Sequence, residues 1–126
     1  MSNIQDAVKL AVKTLFDKKA KEIEVIKVDN VTVIADYFII CTGSSSTQIK
    51  ALSDEVEFQL KKIGLEPLHR EGYASASWVL LDFGSIIVHV FYKDMREYYK
   101  LERLWADGEK IPLSEFIDKE LLEDEI

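Results

Sequence analysis

The chain has 126 residues, 48% of them hydrophobic, and a formal net charge of −7. That length fits a single domain with an ordinary core, which needs neither a disulfide nor a metal to fold. One cysteine, Cys41, excludes an internal disulfide and fits a reducing compartment. The apolar runs are too short to cross a bilayer, and the amino-terminal residues lack the basic-then-apolar pattern of a signal peptide, so a cytoplasmic protein is expected.

The acidity is concentrated. Residues 106–126 hold eight acidic and two basic residues, whereas residues 1–105 hold 15 acidic and 14 basic ones. The body is therefore nearly neutral and lacks the basic surplus of a direct nucleic-acid binder, whose affinity comes mainly from phosphate contacts. Little or no direct nucleic-acid contact is expected.

In chain order, residues 3–20 read as an amphipathic helix, with Ile4, Val8, Ala11, Val12 and Leu15 on one face. Residues 23–28 read as a short strand and Asp29-Asn30 as a turn. Residues 31–35 are ambiguous. Residues 37–42 are apolar at nearly every position, the mark of a central strand buried on both sides. Ser45 and Gln48 form a capping box, and Ile49, Leu52, Val56, Leu60 and Ile63 follow at helical steps up to a stop at Gly64. Residues 65–68 predict an edge or irregular strand with Pro67 in it, and residues 70–77 a polar loop. Residues 78–82 and 85–92 predict a hairpin turning at Phe83-Gly84. Asp94 and Glu97 predict the start of a helix running to about Trp105. Residues 106–108 break it. The segment 113–126 reads as an acidic tail with a short helix from Ser114 through Leu122, beyond a domain spanning residues 1–112. The order gives an α/β fold with a mixed sheet of about five strands flanked by helices.

Several motifs suggest chemistry and then fail to complete it. Thr42-Gly43-Ser44-Ser45-Ser46 stands between a strand and a helix, where α/β proteins bind phosphates, but it has one glycine and no Gly-Lys-Ser/Thr ending. A nucleotidyltransferase using Gly43, Ser44 and Asp82 would need paired carboxylates for magnesium; Asp54, Glu55 and Glu57 lie on the polar side of a helix, and Asp82 has no acidic neighbour in sequence. Asp82-Phe83-Gly84 copies a kinase tripeptide without the rest of a kinase and reads as a hairpin turn. His69 and His89 are the only histidines; alternation puts His89 on a strand face with Ile87 and Phe91, the place of a core residue. With one thiol and no ligand spacing, no metal site is expected. No catalytic residue and no cofactor are assigned.

The stretch from Trp78 to Trp105 is richer, holding seven of the 13 aromatic residues. Its helix spreads Met95, Tyr98, Tyr99, Leu101, Leu104 and Trp105 around most of its circumference, more than one sheet face can cover. Arg96, Lys100 and Arg103 add a basic stripe. Aromatic residues and Arg are favoured interface anchors. Trp78, Leu80, Asp82, Met95, Arg96, Tyr98, Tyr99 and Lys100 are the candidate partner-binding residues.

Taken together, these blocks resemble the ribosomal silencing factor family (RsfS, also called Iojap). The resemblance rests on residues 35–45, ADYFIICTGSS, on Glu71-Gly72, on residues 78–84, WVLLDFG, on residues 87–91, IVHVF, and on residues 96–105, REYYKLERLW. It covers roughly residues 3–112. It implies a fold related to nucleotidyltransferases without their catalytic carboxylates. It implies docking on ribosomal protein fourteen of the large subunit, steric obstruction of subunit joining, reduced translation under nutrient limitation, and homodimers off the ribosome. A role in large-subunit assembly is the alternative.

Overall fold

Helical spacing of apolar residues places α1 (Ile4–Asp17) and α2 (Ser46–Lys62) with one buried stripe each: Val8, Ala11, Val12 and Leu15 on the first, Ile49, Leu52, Val56 and Leu60 on the second. The computed structural model describes residues 4–124, so the expected helix start at Asn3 and the last two residues of the tail lie outside the described residues. Between the helices run β1 (Lys21–Lys27) and β2 (Tyr37–Gly43), and residues 31–35 resolve into turn and bend with Val33 and Ile34 exposed. After α2 come β3 (His69–Glu71), β4 (Trp78–Asp82) and β5 (Ile86–Tyr92), then α3 (Lys93–Tyr99), α4 (Leu101–Leu104), β6 (Glu109–Ile111), a 3-10 turn (Leu113–Glu115) and α5 (Lys119–Asp124).

The sheet has six strands in the order β3-β4-β5-β2-β1-β6. Only β2 and β5 pair in parallel; the other four pairings are antiparallel, so the sheet is mixed. The two parallel strands lie at the centre, and both are buried along almost their whole length, as expected of strands covered on both faces.

The structure corrects five expectations of the fold, one of them in the tail, where the helix expected from Ser114 through Leu122 is instead a 3-10 turn at Leu113–Glu115 followed by α5 from Lys119. The strand expected at 65–68 lies at 69–71 instead, where the polar loop was expected; it is a fully exposed edge strand, so no apolar alternation advertises it. The sheet gains a sixth strand, β6, whose three residues pair with Val25, Ile26 and Lys27. The single helix expected over 94–105 is two. Lys100 adopts the left-handed conformation (φ 48°, ψ 52°), ends α3 and redirects the chain into α4. Asp94 does not cap α3: the helix leaves β5 directly, with Tyr92 as cap residue and no side-chain bond.

Two apolar clusters flank the sheet. The larger one joins α1 and α2 to Ile39, Cys41, Val79, Leu81, Val88 and Val90, and reaches Ile117 of the segment before α5. The smaller one, on the opposite face, gathers Ile26, Val28, Phe38, Ile40, Ile87, Phe91 and Leu101, with Trp78, Leu80, Met95 and Trp105 half buried against it.

Candidate functional site

Strand alternation splits β4 between the faces. Val79 and Leu81 are fully buried beneath the helices, while Trp78, Leu80 and Asp82 are half exposed on the other face. That second face is unevenly covered. α3 packs on β5 and β2, which leaves the β4 and β3 side open. The kink at Lys100 brings Leu101 into the smaller cluster, and Trp105 meets Phe38 edge-on with centroids 5.0 Å apart.

Trp78 stands where cover ends. Its ring stacks on Phe91 at 4.8 Å and lies against Tyr99 at 4.8 Å; Tyr99 in turn meets Tyr98 edge-on at 5.1 Å. Tyr98 is 77% exposed and Tyr99 46%. Gly72 permits a close crossing here: a Cβ at that position would fall 2.0 Å from the Trp78 carbonyl oxygen, so only glycine lets the preceding loop pass the start of β4.

The Trp78 indole N–H donates to Nδ1 of His89 at 3.2 Å. His89 is only 4% exposed, and burial pushes its pKa down to about 3. Because Nδ1 accepts, the ring proton of this neutral imidazole resides on Nε2. That buried Nε2 finds no hydrogen-bond partner among the described residues. An unmet buried donor costs about 1–3 kcal/mol.

The candidate residues therefore divide. Trp78, Leu80, Met95, Tyr98 and Tyr99 share one patch, with exposed Lys100 at its border. Asp82 shares the strand face but lies at the hairpin end, where its Oδ1 accepts from the Gly84 N–H at 2.8 Å. Arg96 is a correction. It is 6% exposed, and its guanidinium points under the sheet edge rather than into an exposed stripe. It donates to Thr42 Oγ1 at 2.9 Å, pairs with Glu24 at 2.8 Å and also donates to the Glu22 carbonyl. A bulge in β1 between Lys21 and Glu24, with Glu22 at φ 50°, takes that carbonyl out of the regular ladder. Lys110 of β6 reaches the same Glu24. This arrangement ties α3 to β1 and β2. Lys100 and Arg103 keep the exposure expected of the stripe.

The residues of the enzymatic alternative are not brought together. Gly43 is level with Tyr92, whereas Asp82 is level with Ile87 and Phe38. Five residues along the strands separate these levels, about 16 Å. A Cβ on Gly43 would fall 2.6 Å from Ile49 Cγ1, so the glycine serves the close packing of α2 on β2. Ser45 Oγ accepts from the Gln48 N–H at 3.1 Å, as the capping box requires. The reciprocal half is displaced by one residue: Gln48 Oε1 accepts from the N–H and hydroxyl of Ser44. Among the described residues no three His, Cys, Asp or Glu side chains are grouped as metal ligands. Cys41 is fully buried, with its thiol pushed up to about 12 by burial and held back somewhat by Arg96. His69, on the exposed edge strand, is opposite Asp82 across the β3–β4 pair.

His89 is the residue that sequence reasoning left in the core. Alternation identified its face correctly. Its bond to Trp78 depends on the β4–β5 register, in which Trp78 is opposite Phe91 and Leu80 opposite His89.

The architecture is that of an α/β domain built on one mixed six-stranded sheet, with an aromatic patch on its half-covered face. Residues 1–125 match the family described as "Ribosomal silencing factor during starvation". A ribosomal silencing factor from Halalkalibacterium halodurans is 42% identical over 113 residues, covering 90% of this chain and 96% of that protein. A crystal structure of a protein from Chromobacterium violaceum superposes with a TM-score of 0.81 at 38% identity, covering 88% of this chain and 92% of that one. A mouse protein named "Mitochondrial assembly of ribosomal large subunit protein 1" is 32% identical over 77% of this chain and 44% of its own length. The chain belongs to the ribosomal silencing factor family.

Proposed function

We propose that this protein docks on ribosomal protein fourteen of the large subunit and sterically blocks its joining to the small subunit, repressing translation under nutrient limitation. The observation that carries this reading is the half-covered sheet face: Trp78, Leu80, Met95, Tyr98 and Tyr99 form one aromatic-rich patch beside Lys100. Buried aromatic anchors with a charged rim are what protein interfaces favour. The near-neutral body suits a protein dock rather than RNA wrapping. On this reading the protein acts in the cytoplasm without catalysis, cofactor or membrane, makes little or no direct nucleic-acid contact, and forms homodimers off the ribosome. The segment after Pro112 packs Ile117, with Leu113, Phe116 and Leu122, against the larger cluster on the opposite side of the sheet from the docking patch.

Sucrose-gradient sedimentation with purified subunits tests it. The protein should co-migrate with the large subunit and lower the fraction of joined ribosomes, and a Trp78→Ala/Tyr98→Ala variant should do neither. Co-migration without loss of joined ribosomes would reject silencing and favour a role in large-subunit assembly, the reading that the mouse relative's name supports.

A further inference from the structure

We propose that His89 is a positioning residue for docking: its Nδ1 holds the indole of Trp78 in the orientation that the partner meets. The inference rests on the docking role given to Trp78 and goes one step beneath it. Trp78 stands on the open side of the face and, as a half-exposed ring at a strand end, has several orientations open to it in principle. Three contacts select one. Phe91 stacks from below at 4.8 Å, Tyr99 flanks at 4.8 Å, and His89 accepts the indole N–H at 3.2 Å. Of these, only the hydrogen bond fixes rotation of the indole within its stacking plane, because stacking tolerates such rotation.

His89 is itself immobilised. It is enclosed, and Phe38 meets it edge-on at 5.0 Å. The arrangement also carries a cost that packing alone would avoid. With Nδ1 committed to Trp78, the Nε2–H is buried without a partner among the described residues, and a phenylalanine at this position would spare the domain that unmet donor. Burial holds the imidazole neutral, which keeps Nδ1 an acceptor. The polar atom that the core tolerates here is the one that orients the docking ring. A ring held in its bound orientation before encounter loses less freedom on binding.

Two substitutions separate positioning from packing. His89→Phe keeps a ring of similar size and removes the acceptor. His89→Asn places an amide oxygen near the position of Nδ1. In the full-length protein, NMR reads the indole N–H resonance of Trp78, and sedimentation with large subunits reads docking. In His89→Phe, the Trp78 indole N–H should move upfield and exchange faster with solvent. The unfolding midpoint should be unchanged or raised, while large-subunit affinity falls about tenfold or more. His89→Asn should restore affinity to within about threefold of the parent. The proposal is overturned if His89→Phe binds like the parent, or if its affinity falls with no change at the Trp78 indole N–H. Tyr98→Ala, at an exposed position without a role in holding Trp78 by hydrogen bond, reports on the docking face itself. Parental binding by that variant would reject the docking reading, whereas weakened Tyr98→Ala beside parental His89→Phe would reject this inference alone.

Discussion

On one side of the sheet, α1 and α2 close completely over β2, β5 and β4, and Val79 and Leu81 are fully buried. On the other side, α3 and α4 cover the centre and stop, so Trp78 and Leu80 of the same strand remain half exposed. Both faces are apolar. They differ in finish: the first is mainly aliphatic and sealed by two long helices, the second richer in aromatic rings and covered by two short helices joined at a left-handed lysine. Aliphatic packing of the first kind secures the fold. An aromatic cluster left open along one edge is suited to receiving a partner.

The sharpest way to break that comparison is to substitute equivalent positions on the two faces. Leu52→Ala or Leu60→Ala, deep in the sealed cluster, should lower stability by about 2–5 kcal/mol in urea titrations. Arg96→Met should come next, at about 1–3 kcal/mol, because it strips a buried charge partner from Glu24 and unties α3 from β1. Urea titration followed by near-ultraviolet circular dichroism would register both the loss and any loosening of the aromatic patch. Tyr98→Ala, on the open face, should change stability by less than about 0.5 kcal/mol.

Acidity should probe the second face through His89. Its folded-state pKa is depressed to about 3, below its ordinary value. The unfolded chain therefore binds the proton first. The stabilising term is fully present above about pH 6.5 and is lost as pH falls toward 3, amounting to about 2 kcal/mol by pH 5. In His89→Phe that portion of the acid sensitivity should vanish from the pH dependence of the denaturation midpoint. At the other extreme, Cys41 is held protonated up to about 12. Its contribution is lost as pH rises from about 9, which bounds stability on the alkaline side.

Much of the sealed face was legible in the sequence, because its pattern is periodic. Ile49 through Leu60 announce α2, and the unbroken apolar run of β2 announces a central strand. Less of the open face was legible. Arg96 belongs by spacing to a basic stripe, but the ion pair that buries it comes from Glu24, 72 residues away, and from the carbonyl of Glu22 at a bulge. Sequence patterning carries no record of such distant partners. β3 and β6 are three residues long, the first wholly polar and the second with Ile111 as its one apolar residue, so their existence depends on neighbours rather than on their own periodicity. The break at Lys100 has no glycine to mark it. The aromatic density between Trp78 and Trp105 singled out residues that the fold gathers on this face, although which rings face outward required the β4–β5 register.

The most direct test of the docking account is sedimentation of purified large and small subunits with the parent protein and with Tyr98→Ala/Lys100→Glu, two exposed changes that leave both clusters intact. The parent should travel with the large subunit and reduce joined ribosomes. The variant, equally folded by circular dichroism, should remain at the top of the gradient and leave joining unaffected. A variant that still co-sediments and still blocks joining would contradict the assignment of this face as the docking surface.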